Sequence, residues 1–424
     1  MPTFRQRVRR IALIEQLGPG LITGAADDDP SGIATYSQAG AQFGYGLLWT
    51  LVLTYPLMVT IQLVSAQIGR VTGCGLAKNM ADVLPRWVVA GLVSLLFVAN
   101  TFNIGADLAA MGEGTKLVLG TNSHAFTVLF ALFSLLLQGF IPYKRYARYL
   151  KYLTLVLLAY VAVLLTVHVD WPAAMRGLFV PSVKIDTRMA TTIVAIFGTT
   201  ISPYLFFWQS AQEVERVAHD PVAKPLVDAP RQATRALYRI KFDTAIGMAL
   251  SNLIGIAIIL STAATLHAAN KGNIQTAADA ARALEPLAGR FAFLLFSLGI
   301  IGTGLLAIPV LAGSVAYAVG ETRGWKCSLD QKPWEAIGFY GVIGISTTLG
   351  LVIDFSSLDP IQALFWSAVI NGVIAVPIMG AMMYVVSHRT QMRKFTAGPV
   401  LKVFGWASTA IMAGATILMV VLAA

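Results

Sequence analysis

The chain has 424 residues, 56% of them hydrophobic and 12% charged, with a formal net charge of +10 and a mean hydropathy of +0.70. Soluble domains carry about 25% charged residues, so that class is excluded, and no polar stretch is long enough for a separate soluble domain. The two cysteines, Cys74 and Cys327, stand too far apart in sequence for a zinc spacing and supply no disulfide framework.

The first residues, MPTFRQRVRR, read as a basic cytoplasmic tail (1–17) rather than a signal peptide. A membrane helix needs about 20 apolar residues. Such runs predict eleven spans, near 19–42, 45–69, 87–115, 124–143, 149–168, 189–213, 240–267, 291–319, 336–353, 360–387 and 403–423. With the N-terminus inside, all but seven of the 31 lysines and arginines fall on the cytoplasmic side, as the positive-inside rule requires. The exceptions are Lys116, Arg176, Lys184, Arg188, Lys271, Arg282 and Arg290. Facing anionic lipid headgroups, this basic excess needs no nucleic-acid partner. The outer connection near 269–290 contains QTAADAARALEPLA, a short amphipathic surface helix.

Two spans carry matching interruptions, DDDPSG in the first and FGTTISPYLFFWQ in the sixth. Proline removes a backbone donor and clashes with the turn before it, so each span breaks there. Carbonyls freed at such a break can bind a cation. The breaks lie five spans apart, and five is odd, so a second five-helix unit enters the membrane inverted. The expected organisation is one transmembrane domain, with repeats over 18–168 and 189–387 and an additional helix at 403–423.

Three acids facing lipid at mid-membrane would cost about 8–10 kcal/mol together. Successive helical residues point about 100° apart, so the three cannot share one ion. Asp29, directly before Pro30, sits at the break. Asp27 and Asp28 are left to line a wet approach, to accept hydrogen bonds behind the ligands, or to be neutral.

The stretch GPGLITGAADDDPSGIATYSQAGAQFGYGLLW (residues 18–49) resembles the first helix and following turn of the NRAMP divalent-metal transporters. The eleven-span pattern extends that resemblance over nearly the whole chain. It implies an all-α polytopic membrane protein with the LeuT-like fold, a 5+5 inverted repeat and broken helices one and six. It also implies a divalent cation as cargo, no cofactor, no obligatory protein partner and, for a bacterial member, the inner membrane.

The departures from the family pattern bear on cargo. The usual Asp-Pro-Gly-Asn of helix one places its two ligands at Asp29 and Gly32 here. The Ala-Thr-Val-Met-Pro-His of helix six becomes Thr199, Thr200, Ile201, Ser202, Pro203 and Tyr204. A thioether has become a hydroxyl, and an amide ligand is gone. Thioethers favour soft metals, whereas magnesium takes oxygen ligands and keeps several of its waters. The expected metal set is therefore Asp29, Gly32, Thr199 and Ser202, with Asp27, Asp28, Thr200, Tyr204, Asp107 and Asn371 behind it or along the path. The combination resembles the NRAMP-related magnesium transporters, which also carry manganese.

The resemblance also bears on protons. The family's helix-three acids align with Asn100, Asp107 and Ala110, and helix nine lacks the family's arginines. The five histidines fall in loops or near span ends. A relay needs linked titratable groups, so uncoupled transport is expected, with Asp107 a structural hydrogen-bond acceptor. Asp243, near Arg239 and Lys241, reads as an interfacial ion pair. Gln209, Gln212, Glu213 and Glu215 read as a solvated helix end, and Phe206, Phe207 and Trp208 as packing. Two other readings stay open at this point. One is a proton-coupled manganese or iron importer. The other is an intramembrane aspartyl protease using Asp29 and Asp107, although IGADL lacks the Gly-x-Gly-Asp setting. No P-loop is present, which argues against ATP-driven pumping.

Overall fold

The computed structural model describes Gly24 and residues 27–120, 122–143, 145, 153–181, 186–272, 274–355 and 359–424. The expected cytoplasmic tail, the start of the first span and residues 146–152 of the fifth lie outside these. Among the described residues there is no strand. Eight helical segments are long and apolar enough to cross a membrane, and Ile337–Val352 is a shorter apolar one. The protein is an integral, multi-pass membrane protein.

The first half of the chain contains α1 (Pro30–Phe43), α2 (Leu48–Thr72), α3 (Leu76–Val83), α4 (Arg86–Leu119), α5 (Ser123–Phe140), α6 (Leu158–Val163) and α7 (Trp171–Phe179). The second contains α8 (Thr187–Thr200), α9 (Pro203–His219), α10 (Ala233–Thr262), α11 (Ala277–Ala281), α12 (Glu285–Ala288), α13 (Ala292–Arg323) and α14 (Ile337–Ile353). It closes with α15 (Pro360–Ser387), α16 (Arg389–Met392) and α17 (Pro399–Ala423). Helix is found within each of the eleven expected spans, although described residues such as 164–168 of the fifth are not helical. The fifth is only a 3-10 turn at Leu153–Leu157 followed by α6. The outer surface helix exists as α11 and α12 joined by a 3-10 turn. The sequence reading did not anticipate α7, which Asp170 starts by capping the Ala173 amide at 3.0 Å.

Both expected breaks are present. Asp27 is helical, Asp28 is a bend, and Asp29 is extended before α1 begins at Pro30. Proline suits this first position, where its missing N–H is no loss. In the sixth span Ile201 and Ser202 leave helical geometry, and α9 restarts on Pro203.

Close backbone packing fixes each half-helix to a neighbour. A Cβ on Gly198 of α8 would collide with the Ala368 carbonyl and the Gly372 amide of α15. A Cβ on Gly24, ahead of the first break, would collide with the Gly247 carbonyl of α10. These two glycines are what allow the helices to approach so closely.

Candidate metal centre at the paired breaks

Asp29 is the N-cap of α1. Its Oδ1 accepts the Gly32 amide at 2.9 Å and the Ser31 hydroxyl at 2.6 Å. An acid here also meets the positive end of the helix dipole. Its Oδ2 accepts Asn103 Nδ2 from α4 at 3.1 Å and the Tyr204 hydroxyl from α9 at 3.4 Å. Ser367 of α15 in turn donates to Asn103 Oδ1 at 2.9 Å. One carboxylate thus joins α1, α4 and α9, and Asn103 carries the link on to α15.

Ser202 ties the other break. Its hydroxyl donates toward the Gly198 and Thr199 carbonyls at 2.8 and 2.9 Å. Thr199 Oγ1 is buried and has no hydrogen-bond partner. A Cβ on Gly32 would lie 3.1 Å from that same oxygen and 3.7 Å from the Asp27 carbonyl. The structure therefore brings Gly32, Thr199 and the Asp27 backbone together, and Asp29 stands at the same helix start. The four expected metal residues converge on the two breaks.

The rest of the expected set divides. Tyr204 reaches Asp29, as above. The Thr200 hydroxyl is used within its own helix, on the Ile196 carbonyl at 2.8 Å. Asp27 and Asp28 turn to α10, where the Ser251 hydroxyl lies 2.7 Å from Asp27 Oδ2 and 2.9 Å from Asp28 Oδ1. At 1% and 4% exposure they are buried against that helix rather than lining open water in this conformation. Among the described residues no group of three or more acids, histidines and cysteines is placed to hold a metal ion. The triplet is thus not a three-carboxylate cage.

Asp107 corrects the expectation of a structural hydrogen-bond acceptor, because both of its buried carboxylate oxygens lack a partner. It lies one turn beyond Asn103 on the same face of α4. Both amide atoms of Asn371 are likewise buried and unpartnered. Glu213 and Glu215 also differ from the expected solvated end. Glu213 is 1% exposed and pairs with Arg239 at 2.6 Å, and Glu215 accepts the Tyr317 hydroxyl. Their partners come from α10, the next helix, and from α13, farther along the chain, so the polarity of α9 alone could not reveal the burial. Arg239 gives Nη2 to Glu213. Phe206, Phe207 and Trp208 are fully buried packing residues, as expected.

Sequence reasoning missed Asn103 and Ser251. Asn103 sits three residues after Asn100 and four before Asp107, so the spacing of polar residues along α4 held a signal for it.

The family model described as Natural resistance-associated macrophage protein-like, Nramp, matches residues 20–422. The chain belongs to the Nramp family. Among its relatives, the divalent metal cation transporter MntH of Yersinia pestis (strain Pestoides F) is 30% identical over 324 residues, 74% of each chain. A solved structure of the Eremococcus coleocola manganese transporter superposes with a TM-score of 0.73 at 17% identity, covering 99% of this chain and 88% of that one. Mhp1, a nucleobase-cation-symport-1 family transporter, superposes at 0.60 with 15% identity, covering 95% and 92%. At these identities the structures establish the fold. This Nramp chain has the LeuT-like architecture expected of it.

Proposed function

We propose that this Nramp protein is a transporter of divalent metal cations, not an enzyme, and that its cargo is magnesium, with manganese also carried. The ion crosses partly hydrated, by alternating access and without a coupled proton. We place the protein in a bacterial inner membrane with a cytoplasmic N-terminus, as two five-helix repeats (18–168 and 189–387) plus a last helix.

The observation that carries the cargo assignment is the set of oxygens around Gly32. Residue 32 has no side chain, and its Cβ direction points at Thr199 Oγ1, a buried oxygen without a partner. A hard ion that retains waters needs such oxygen acceptors. Where the family pattern offers a thioether, Ser202 offers a hydroxyl.

The histidines support the absence of coupling. His267 bonds the Ala41 carbonyl, His124 pairs with Asp354, and His219 pairs with Asp330. None of these partners belongs to the breaks. One observation favours the proton-coupled reading instead. Asp107, unpartnered and one turn from Asn103, is a titratable group beside the site.

Proteoliposome uptake of magnesium, manganese and calcium, with a pH dye in the lumen, tests both parts. Saturable magnesium uptake that Asp29→Ala abolishes, with no lumenal acidification, is the expected result. Acidification in step with uptake, lost in Asp107→Asn, would establish the proton-coupled reading. Magnesium uptake unchanged by Asp29→Ala would remove the site.

A further inference from the structure

A second cavity, of about 760 Å³, opens where the end of α2, the end of α9 and the start of α10 meet. Five arginines line it, Arg70, Arg216, Arg231, Arg235 and Arg239, against only two acids, Asp220 and Asp243. The lining is therefore strongly cationic, and it is distinct from the paired breaks.

The walls are built rather than loose. Arg70 is 5% exposed and donates to the Lys224 carbonyl at 2.6 Å and to Gln232 Oε1 at 3.0 Å. Gln232 also donates to the Val222 carbonyl at 2.9 Å. The amides of Leu226 and Val227 bond the carbonyls of Arg70 and Val71. The connection between α9 and α10 is thereby fastened to α2, with guanidinium groups on its inner side.

Donors remain unspent. Arg239 gives Nη2 to Glu213, while its Nη1 is buried without a partner. Arg216, Arg231 and Arg235 form no ion pair among the described residues. Planar guanidinium forks match the oxygens of phosphate in pairs. At the rim, the exposed rings of Tyr238 and Phe242 stack with centroids 6.5 Å apart.

We propose that this cavity binds a phosphate-bearing anion, supplied either by a free phosphorylated small molecule or by an anionic lipid headgroup. The anion bridges Arg216 on α9 to Arg231, Arg235 and Arg239 around the start of α10. Because α9 begins at Pro203, between Ser202 and Tyr204, occupancy restrains the half-helix that carries part of the metal centre. The binding itself does not depend on which ion is transported.

The test uses the purified full chain in detergent, metal-free with EDTA. Its thermal midpoint is titrated with sodium phosphate, with ATP and with dioleoylphosphatidylglycerol, against chloride at matched ionic strength. Saturable stabilisation by phosphate or ATP identifies the free source, and stabilisation by the lipid alone identifies the headgroup. The exposed pair Arg231→Ala/Arg235→Ala should weaken the effective ligand about tenfold or more. The charge-matched pair Arg389→Ala/Lys394→Ala should leave it unchanged. The proposal is overturned if no probe binds beyond the chloride control, if the first double variant binds within twofold of the parent, or if both double variants lose binding equally.

Discussion

Asn103 Nδ2 on α4 donates to Asp29 Oδ2 across 3.1 Å, so the carboxylate at the first break is aimed by a helix some seventy residues away. Removing that donor leaves Asp29 oriented by Ser31 and Gly32 on one oxygen only, apart from the longer Tyr204 contact. Asn103→Ala should raise the magnesium KM about tenfold, since hydrogen bonds to charged groups are worth about 1.5–3 kcal/mol. Concentration-dependent uptake in proteoliposomes checks this, with Asp29→Ala as the null reference.

Adding a side chain at residue 32 should change selectivity. Gly32→Ala places a methyl 3.1 Å from Thr199 Oγ1, one of the oxygens proposed to face the ion, so magnesium uptake should fall. Gly32→Asn with Ser202→Met supplies an amide and a thioether and should shift competition toward manganese and cadmium. Competition assays against magnesium read the shift directly, and an unchanged ranking would refute the ligand-softness argument.

Ser251 serves two buried carboxylates with one hydroxyl. Ser251→Ala leaves Asp27 and Asp28 without it, and a buried acceptor deprived of its donor costs about 1–3 kcal/mol. A lower Tm in detergent is expected, together with magnesium uptake less impaired than in Asp29→Ala.

The two cysteines differ in reactivity. Burial, aided by the Glu321 and Glu215 carboxylates, pushes the Cys327 thiol up to about 12. Cys74 is exposed, and its thiol is raised, by burial first and by the Glu321 carboxylate next. The thiolate is the nucleophile, so a raised thiol reacts slowly near neutrality and faster as pH climbs toward its own value. Maleimide at pH 7.5 should modify Cys74 first. Cys327 labelling should gain about tenfold per pH unit between pH 8 and 10, which mass spectrometry can follow.

Features set by a residue and its immediate neighbours were legible in the sequence. Asp29-Pro30 and Ser202-Pro203 announced both breaks because proline acts on the turn beside it. The membrane-crossing helices followed from apolar run length, and Asp29 stood out as the acid abutting a break. Asn103 and Ser251 were not legible as partners, because each acts across an interface between helices far apart in sequence. The burial of Glu213 was hidden because its partner, Arg239, lies on another helix, α10. Asp107 shows the converse failure: without relay partners it read as a structural acceptor, yet among the described residues neither of its carboxylate oxygens meets a hydrogen-bond donor.

The glycine contacts at the two breaks carry one more implication. The stretch before Asp29 is pressed onto α10 through Gly24, and α8 is pressed onto α15 through Gly198. Each side of the proposed enclosure is therefore clasped by a glycine to a different helix, while Asn103 and Ser367 tie Asp29 across to α15. In the proposed transport cycle, a shift of α8 with α15 relative to the first break would alter the distance from Thr199 to Asp29. Opening the protein and loosening its grip on the cation would then be one and the same displacement.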